Sequence, residues 1–179
     1  MSTPPVDHAG VPYRIAVLVH LTDGEGRRLL LHRTKEPNAG MHSPVGGKLE
    51  VEDGESPHTC AVREVHEETG VILQESEIHL LGMVSERAFE NTNHWLIFVY
   101  EATRTIDPSE ITSMTMDEGE LKWVADKDVV DVGIPDTDRE ILWPQVQDHS
   151  PGGFFVVHID CGGDSLVPTL HQSHPALRQ

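Results

Sequence analysis

Two apolar, β-branched runs open the chain, YRIAVLVHLTD from Tyr13 and RRLLLHRT from Arg27, with DGEG between them. Runs of this kind around a glycine turn predict a β-hairpin. The next stretch, KEPNAGMHSPVGGKLEVEDGE, is rich in glycine and proline and predicts mostly loop. Ser56 before Pro57 then predicts a helix start, with serine as N-cap and proline where its missing donor costs nothing, and Gly70 predicts the stop. Strand-like runs return in IHLLGMVSERAF, HWLIFVYEA and GELKWVA. DTDREILWPQV predicts a second helix, and FFVVHID and SLVPTL predict a strand pair closed by the turn DCGGDS. Strands of mixed spacing around one long central helix predict an α+β sandwich rather than a doubly wound sheet. Residues 1–11 are small, polar and proline-bearing and predict a loose arm, 12–170 the domain, and 171–179 a frayed tail.

Composition narrows what such a domain could do. A chain of 179 residues is long enough to bury one substantial core. Its net charge of -17 disfavours a long polyanion, because no surplus of lysine and arginine exists to release counterions. A nucleic-acid polymer is therefore not expected, whereas a small nucleotide carried with a divalent cation is. The two cysteines, Cys60 and Cys161, lie far apart with no CxxC spacing, which predicts neither a disulfide framework nor a structural zinc site. The leader MSTPPVDHAGVP has no basic start and apolar run, and no segment has the length to cross a bilayer, so the expectation is a soluble cytoplasmic protein without a membrane partner.

Between Gly46 and Val71 the chain places seven carboxylates and one arginine. At about 100° per residue, Glu64, Glu67 and Glu68 share one arc of the helix and Val62, Val65 and Thr69 the other. Like charges three and four residues apart repel, so the cluster destabilises the helix unless a cation neutralises it. A solvated acidic face is the plain alternative. The flanking VGGK favours a ligand, since glycine lets backbone approach a metal or phosphate and Lys48 is a phosphate partner. Hard cations with oxygen ligands suit the carboxylates, and Mg²⁺ takes a few of them together with waters and substrate phosphates. Glu55, eight residues before Arg63, is that arginine's expected partner.

Gly47, Glu55, Arg63, Glu64, Val65, Glu67, Glu68, Gly70 and Val71 together resemble the signature of the Nudix hydrolases. The spacing matches from Glu55 onward, while the loop KLEVEDG is two residues longer than the family pattern and is expected to bulge outward. The resemblance implies an α/β/α sandwich with a mixed sheet and a central catalytic helix, and Mg²⁺-dependent cleavage of a nucleoside diphosphate linked to another group. It implies that Glu64, Glu67 and Glu68 hold the metal, with the carbonyl of Gly46, and that Mn²⁺ can substitute. Glu118, in MDEGELKWV, matches the position of a further metal-binding or basic glutamate, so the general base is either Glu64 or Glu118.

The segments LLLHRTKEPNAG, DEGELKWV and IPDTDREILWP occur in the order seen in the MutT-type oxidised-purine nucleoside triphosphate diphosphatases, which the chain resembles as a whole. That resemblance implies purine reading by Asp136 or Asp138; Arg33, at the end of a strand run, is a candidate for a phosphate or base contact, with a surface residue as the plain alternative. The chain departs from this subfamily before GGK, where His42, Ser43 and Pro44 replace a tryptophan and a polar amide; Ser43 is too short for a bidentate base contact. Markers of other Nudix branches are missing. No proline falls between Pro57 and Pro108, the first tyrosine after the signature is Tyr100, and no SQPWPFP-like run occurs. Trp95, Trp123 and Trp143 are expected in the core, Trp143 with a second possible place beside the base. The expected activity is hydrolysis of a nucleoside triphosphate to monophosphate and pyrophosphate. A Nudix hydrolase of another substrate, or a silent nucleotide-binding module, is the alternative.

Overall fold

A computed structural model of the chain describes residues 10–36, 38–90 and 93–176, so most of the expected arm lies outside the described residues. The first sheet is mixed. In it β1 (Tyr13–His20) runs parallel to β5 (Asn93–Ala102), which pairs antiparallel with β4 (Ile78–Phe89). β4 runs parallel to β8 (Phe154–Asp160), whose antiparallel partner β9 (Val167–His174) forms one edge. The second sheet is antiparallel, in the order β3 (His42–Pro44), β2 (Arg27–Arg33), β7 (Gly119–Ala125), β6 (Thr115–Met116).

The DGEG turn forms, but it does not join a hairpin of paired strands. Asp23 N–H donates to the Arg27 carbonyl at 3.1 Å, Leu29 N–H to that of Leu21 at 3.0 Å, and Thr22 bridges Arg28. Beyond that bridge β1 and β2 part into different sheets. The reason is burial: Leu29 and Leu31 enter one core and Leu30 another, so β2 needs cover on both faces, which a lone hairpin partner does not provide. Residues 38–55 of the expected loop are also more ordered than their composition predicts, since β3 pairs with β2 and Val45 and Gly47 accept bonds from β1. β9 extends through His171–His174, which the sequence assigns to a loose tail.

Two cores lie on either side of the sheets. One packs Cys60, Ala61 and Val65 of helix α1 (Pro57–Thr69) against Val17, Val19 and Tyr100; the other packs Ile141, Trp143 and Val146 against Leu81, Val99 and Phe155. The layering is the expected α+β sandwich. The second helix is a π-helical turn, Asp138–Leu142, that leads into α2 (Trp143–His149). Pro144 lacks the donor that a regular turn needs and crowds the carbonyl four residues back, which explains the irregularity just before it. Among the described residues no helix is long and apolar enough to cross a membrane.

Candidate active site

Helix α1 is fixed at both ends by the residues that predict it. Ser56 accepts from Thr59 N–H at 3.1 Å, and Gly70 closes the last turn in a left-handed conformation. Its apolar side, Cys60, Ala61, Val65 and Thr69, is buried. The opposite face therefore points Arg63, Glu64, Glu67 and Glu68 toward the loop at Gly46.

Arg63 organises that face. Its guanidinium forks onto Glu55 at 2.8 and 2.9 Å, and also donates to Glu64 at 2.8 Å, Glu67 at 3.2 Å and the Lys48 carbonyl at 3.3 Å. These bonds hold the buried Glu55 carboxyl down to about 2. The lengthened loop forms a single exposed 3-10 turn, Val51–Asp53, closed by a 2.9 Å bond from Glu50 N–H to Glu55. The insertion thus leaves the Glu55–Arg63 pair intact.

Gly46 and Gly47 let the loop pass between α1 and β1. A Cβ on Gly46, which has φ +155, would stand 2.1 Å from the Val17 carbonyl oxygen, and one on Gly47 would stand 2.3 Å from Glu64 Oε1. Gly46 N–H donates to Glu68 at 3.0 Å. Burial, with the charges of Glu64 and Glu118 added, pushes the Glu68 carboxyl up to about 8. Burial also raises Glu64, to which Glu67 and Glu118 add and which Arg63 opposes. Glu118 stands across the cleft with Arg33 at 3.4 Å.

Glu64 and Glu68, half-buried and raised by burial, with the exposed Glu118 adding its charge and oxygen as the sole donor type, suit a hard divalent cation. The geometry differs from the expected convergence of Glu64, Glu67 and Glu68. Among the described residues no group of three His, Cys, Asp or Glu side chains is arranged to hold one ion as it stands. Glu64 and Glu67 turn toward Arg63, which lies on the same arc, and Glu67 is 57% exposed. Electrostatics add Glu118 to the set: Glu64 and Glu118 act on Glu68, and Glu67 and Glu118 both act on Glu64.

Glu64 and Glu118 line one end of a cavity of about 440 Å³, together with Lys48 and Arg33. Ser43, Asn38, Thr137 and Asp138 lie along it, and Leu18, Ile97, Phe89 and Trp95 give it an apolar wall. The structure separates the two aspartates: Asp138 is half-buried and lines the cavity, while Asp136 pairs at the surface with Arg139 at 2.9 Å. Trp143 does not line it; it packs in the second core against Arg28 and His20. Trp95, assigned to the core on composition, also forms part of the wall. Glu86, Phe89 and Thr137 were missed, since a glutamate in an apolar strand gives no local sign of facing a cavity.

The sequence profile of the NUDIX domain matches residues 12–143. The chain is 42% identical over 74 residues to an RNA pyrophosphohydrolase of Dinoroseobacter shibae, a match covering 41% of this chain and 44% of that one. A second RNA pyrophosphohydrolase, from Novosphingobium aromaticivorans, is 28% identical over 149 residues, covering 71% and 86%. Among solved structures, the MutT protein of Bacillus halodurans superposes with a TM-score of 0.70 at 24% identity, over 88% of this chain and 97% of that one, and shows the shared fold. With the profile spanning residues 12–143 of the 179, the chain belongs to the Nudix family.

Proposed function

We propose that the protein is a pyrophosphohydrolase that cleaves a nucleoside triphosphate to the monophosphate and pyrophosphate with Mg²⁺, or with Mn²⁺ in its place. The observation that carries this reading is the polarity of one cavity: carboxylates with Arg33 and Lys48 at one end, an apolar wall and the half-buried Asp138 at the other. A nucleotide has the same two ends.

Glu64, Glu68 and Glu118 would hold the cation, with the Gly46 backbone beside them and Glu67 at the exposed margin. When bound, the ion would offset charge on the phosphate oxygens and make water more acidic. Arg63 keeps Glu64 oriented through its fixed fork on Glu55, so turning Glu64 away costs the arginine one bond of several. Lys48 and Arg33 face the phosphates from the loop and from β2. Glu64 and Glu118 are the two carboxylates placed to take the proton from the attacking water.

The test is pyrophosphate release from a nucleotide panel, with and without Mg²⁺. Glu68→Gln should lower kcat by at least about 100-fold with the fold intact. Full activity in this variant, or none in the wild type, would overturn the reading. Comparing Glu64→Gln with Glu118→Gln assigns the base, because its loss removes the alkaline-activated limb of the pH profile.

A second reading comes from the names of the relatives: the substrate is the triphosphate end of an RNA. The net charge of -17 weighs against it, since a polyanion would gain little from this surface. Side-by-side kcat/KM for free triphosphates and a short 5′-triphosphorylated RNA separates the two.

A further inference from the structure

Asp138 borders two cavities, the main one and a smaller chamber of about 20 Å³, which is room for one water. The chamber is lined by Leu30 of β2, Pro44 of β3, Val129, Ile134 and the segment that carries Leu142, Trp143 and Val146, with His20 from the end of β1. Apart from the Trp143 indole, His20 and Asp138 are the side chains with polar atoms in that described lining.

Both of those groups are short of partners. His20 is 4% exposed, and neither of its ring nitrogens has a hydrogen-bond partner. Burial, with the charge of Arg28 adding to it, keeps the ring neutral, down to about 3, so the imidazole presents one N–H donor and one bare acceptor. A buried polar atom without a partner is costly and rare in folded proteins. Among the described residues the Asp138 carboxyl accepts only from the Thr137 hydroxyl, 3.5 Å away, at the long limit for such a bond. Histidine and aspartate do not bond each other directly, yet both face one chamber of a single water's size.

The backbone explains the meeting. Strand alternation sends Val17 and Val19 of β1 into the core under α1, while Ala16 and Leu18 line the main cavity and His20, next on that face, lines the chamber. From the other side comes the π-helical turn, in which Trp143 N–H reaches the Asp138 carbonyl, and it sets Asp138, Leu142 and Trp143 around the same space. Arg28 braces the Trp143 ring from 5.5 Å and is itself held by Asp126 at 2.8 Å.

We propose that the chamber binds one structural water between His20 and Asp138, and that through it His20 is a positioning residue for the aspartate. The water supplies the partner that the imidazole lacks and holds the Asp138 side chain from behind, so that its carboxyl presents a fixed edge to the main cavity. Water suits the site because it both donates and accepts, and it can therefore bond a neutral ring on one side and a carboxyl on the other. A metal ion does not suit it, since one imidazole and one carboxyl are too few ligands. The kinetic consequence rests on the nucleotide reading above; the water site does not.

Crystals of the metal-free wild type should show one water within about 3.2 Å of a His20 ring nitrogen and of an Asp138 oxygen. His20→Phe keeps a planar ring without nitrogens and should lose that water. In pyrophosphate-release assays the same variant should raise KM about 3- to 10-fold, the worth of one hydrogen bond, with kcat within about twofold. His20→Gln, whose amide can meet the water, should recover most of the loss. In an Asp138→Ala background His20→Phe should change KM no further, because the residue it positions is gone; a role in packing alone would give additive effects. A dry chamber in the wild type, an unchanged KM in both His20 variants, or the same KM change with and without the Asp138 side chain would overturn the proposal. A protein that cleaves no nucleotide but holds this water, and loses it in His20→Phe, removes the hydrolase reading and keeps the site; a hydrolase with a dry chamber does the reverse.

Discussion

Arg63 touches Glu55, Glu64, Glu67 and the Lys48 carbonyl at once, so its removal strands more than one carboxylate. Glu55 is the critical partner, with a side chain only 7% exposed. Replacing Arg63 with alanine should destabilise the fold by about 3 kcal/mol, because a buried charge is left without its counter-ion. Arg63→Lys should recover only part of this, since an ammonium cannot fork across both carboxylate oxygens. Chemical denaturation of the two variants checks both outcomes; equal stability of lysine and arginine forms would show that charge alone, not the fork, supports the loop. The pairing of Glu55 with Arg63 was legible from their spacing. That Arg63 also draws Glu64 and Glu67 toward itself was not, because helical angles give a direction for each side chain and say nothing of which neighbour wins it.

At the scale of elements, α1 carries its own start and stop, and both are local signals. Ser56→Ala removes the bond to Thr59 N–H and should cost about 1 kcal/mol, read as a lower denaturation midpoint. The glutamates stand in the middle and end of the helix and are held by its buried face, so kcat should stay within about twofold if fraying stops at the first turn. β4 behaves differently. Its apolar alternation predicts a strand over IHLLGMVSERAF, and the strand is there, but the bulge that aims Phe89 has no sequence mark: Ala88 adopts φ +58 where glycine or asparagine would be expected. The β1–β2 turn shows the same limit, since DGEG set the reversal without setting strand partners.

For the whole molecule, the buried acids make stability depend on pH. Glu68 and Glu86, raised from 4.5 to about 8, hold protons in the folded state that the unfolded chain has already lost. Their contribution is full below 4.5 and is lost as pH rises toward 8. His20 acts with the opposite sign, but only below its ordinary 6.5. Between about pH 6.5 and about pH 8 the metal-free protein should therefore lose thermal stability steadily, and Glu86→Gln should flatten the slope. Glu55, lowered to about 2, adds an acid limb in which stability falls from 4.5 downward. Mg²⁺ at about 100 times its Kd should restore about 2.7 kcal/mol at pH 8, and much less in Glu68→Gln. A pH-independent melting temperature would contradict the protonated carboxyls. By itself the sequence determined the helix, its caps, the glutamate arc, the Glu55–Arg63 pair and the family, because each rests on residues close in the chain and on angles that the backbone fixes. Tertiary structure alone decided that Asp138 and not Asp136 borders the cavity, and that Glu86 and Thr137 border it too. Those meetings depend on which strands pair and where a bulge falls, and such contacts between distant segments are set by burial across the whole sandwich.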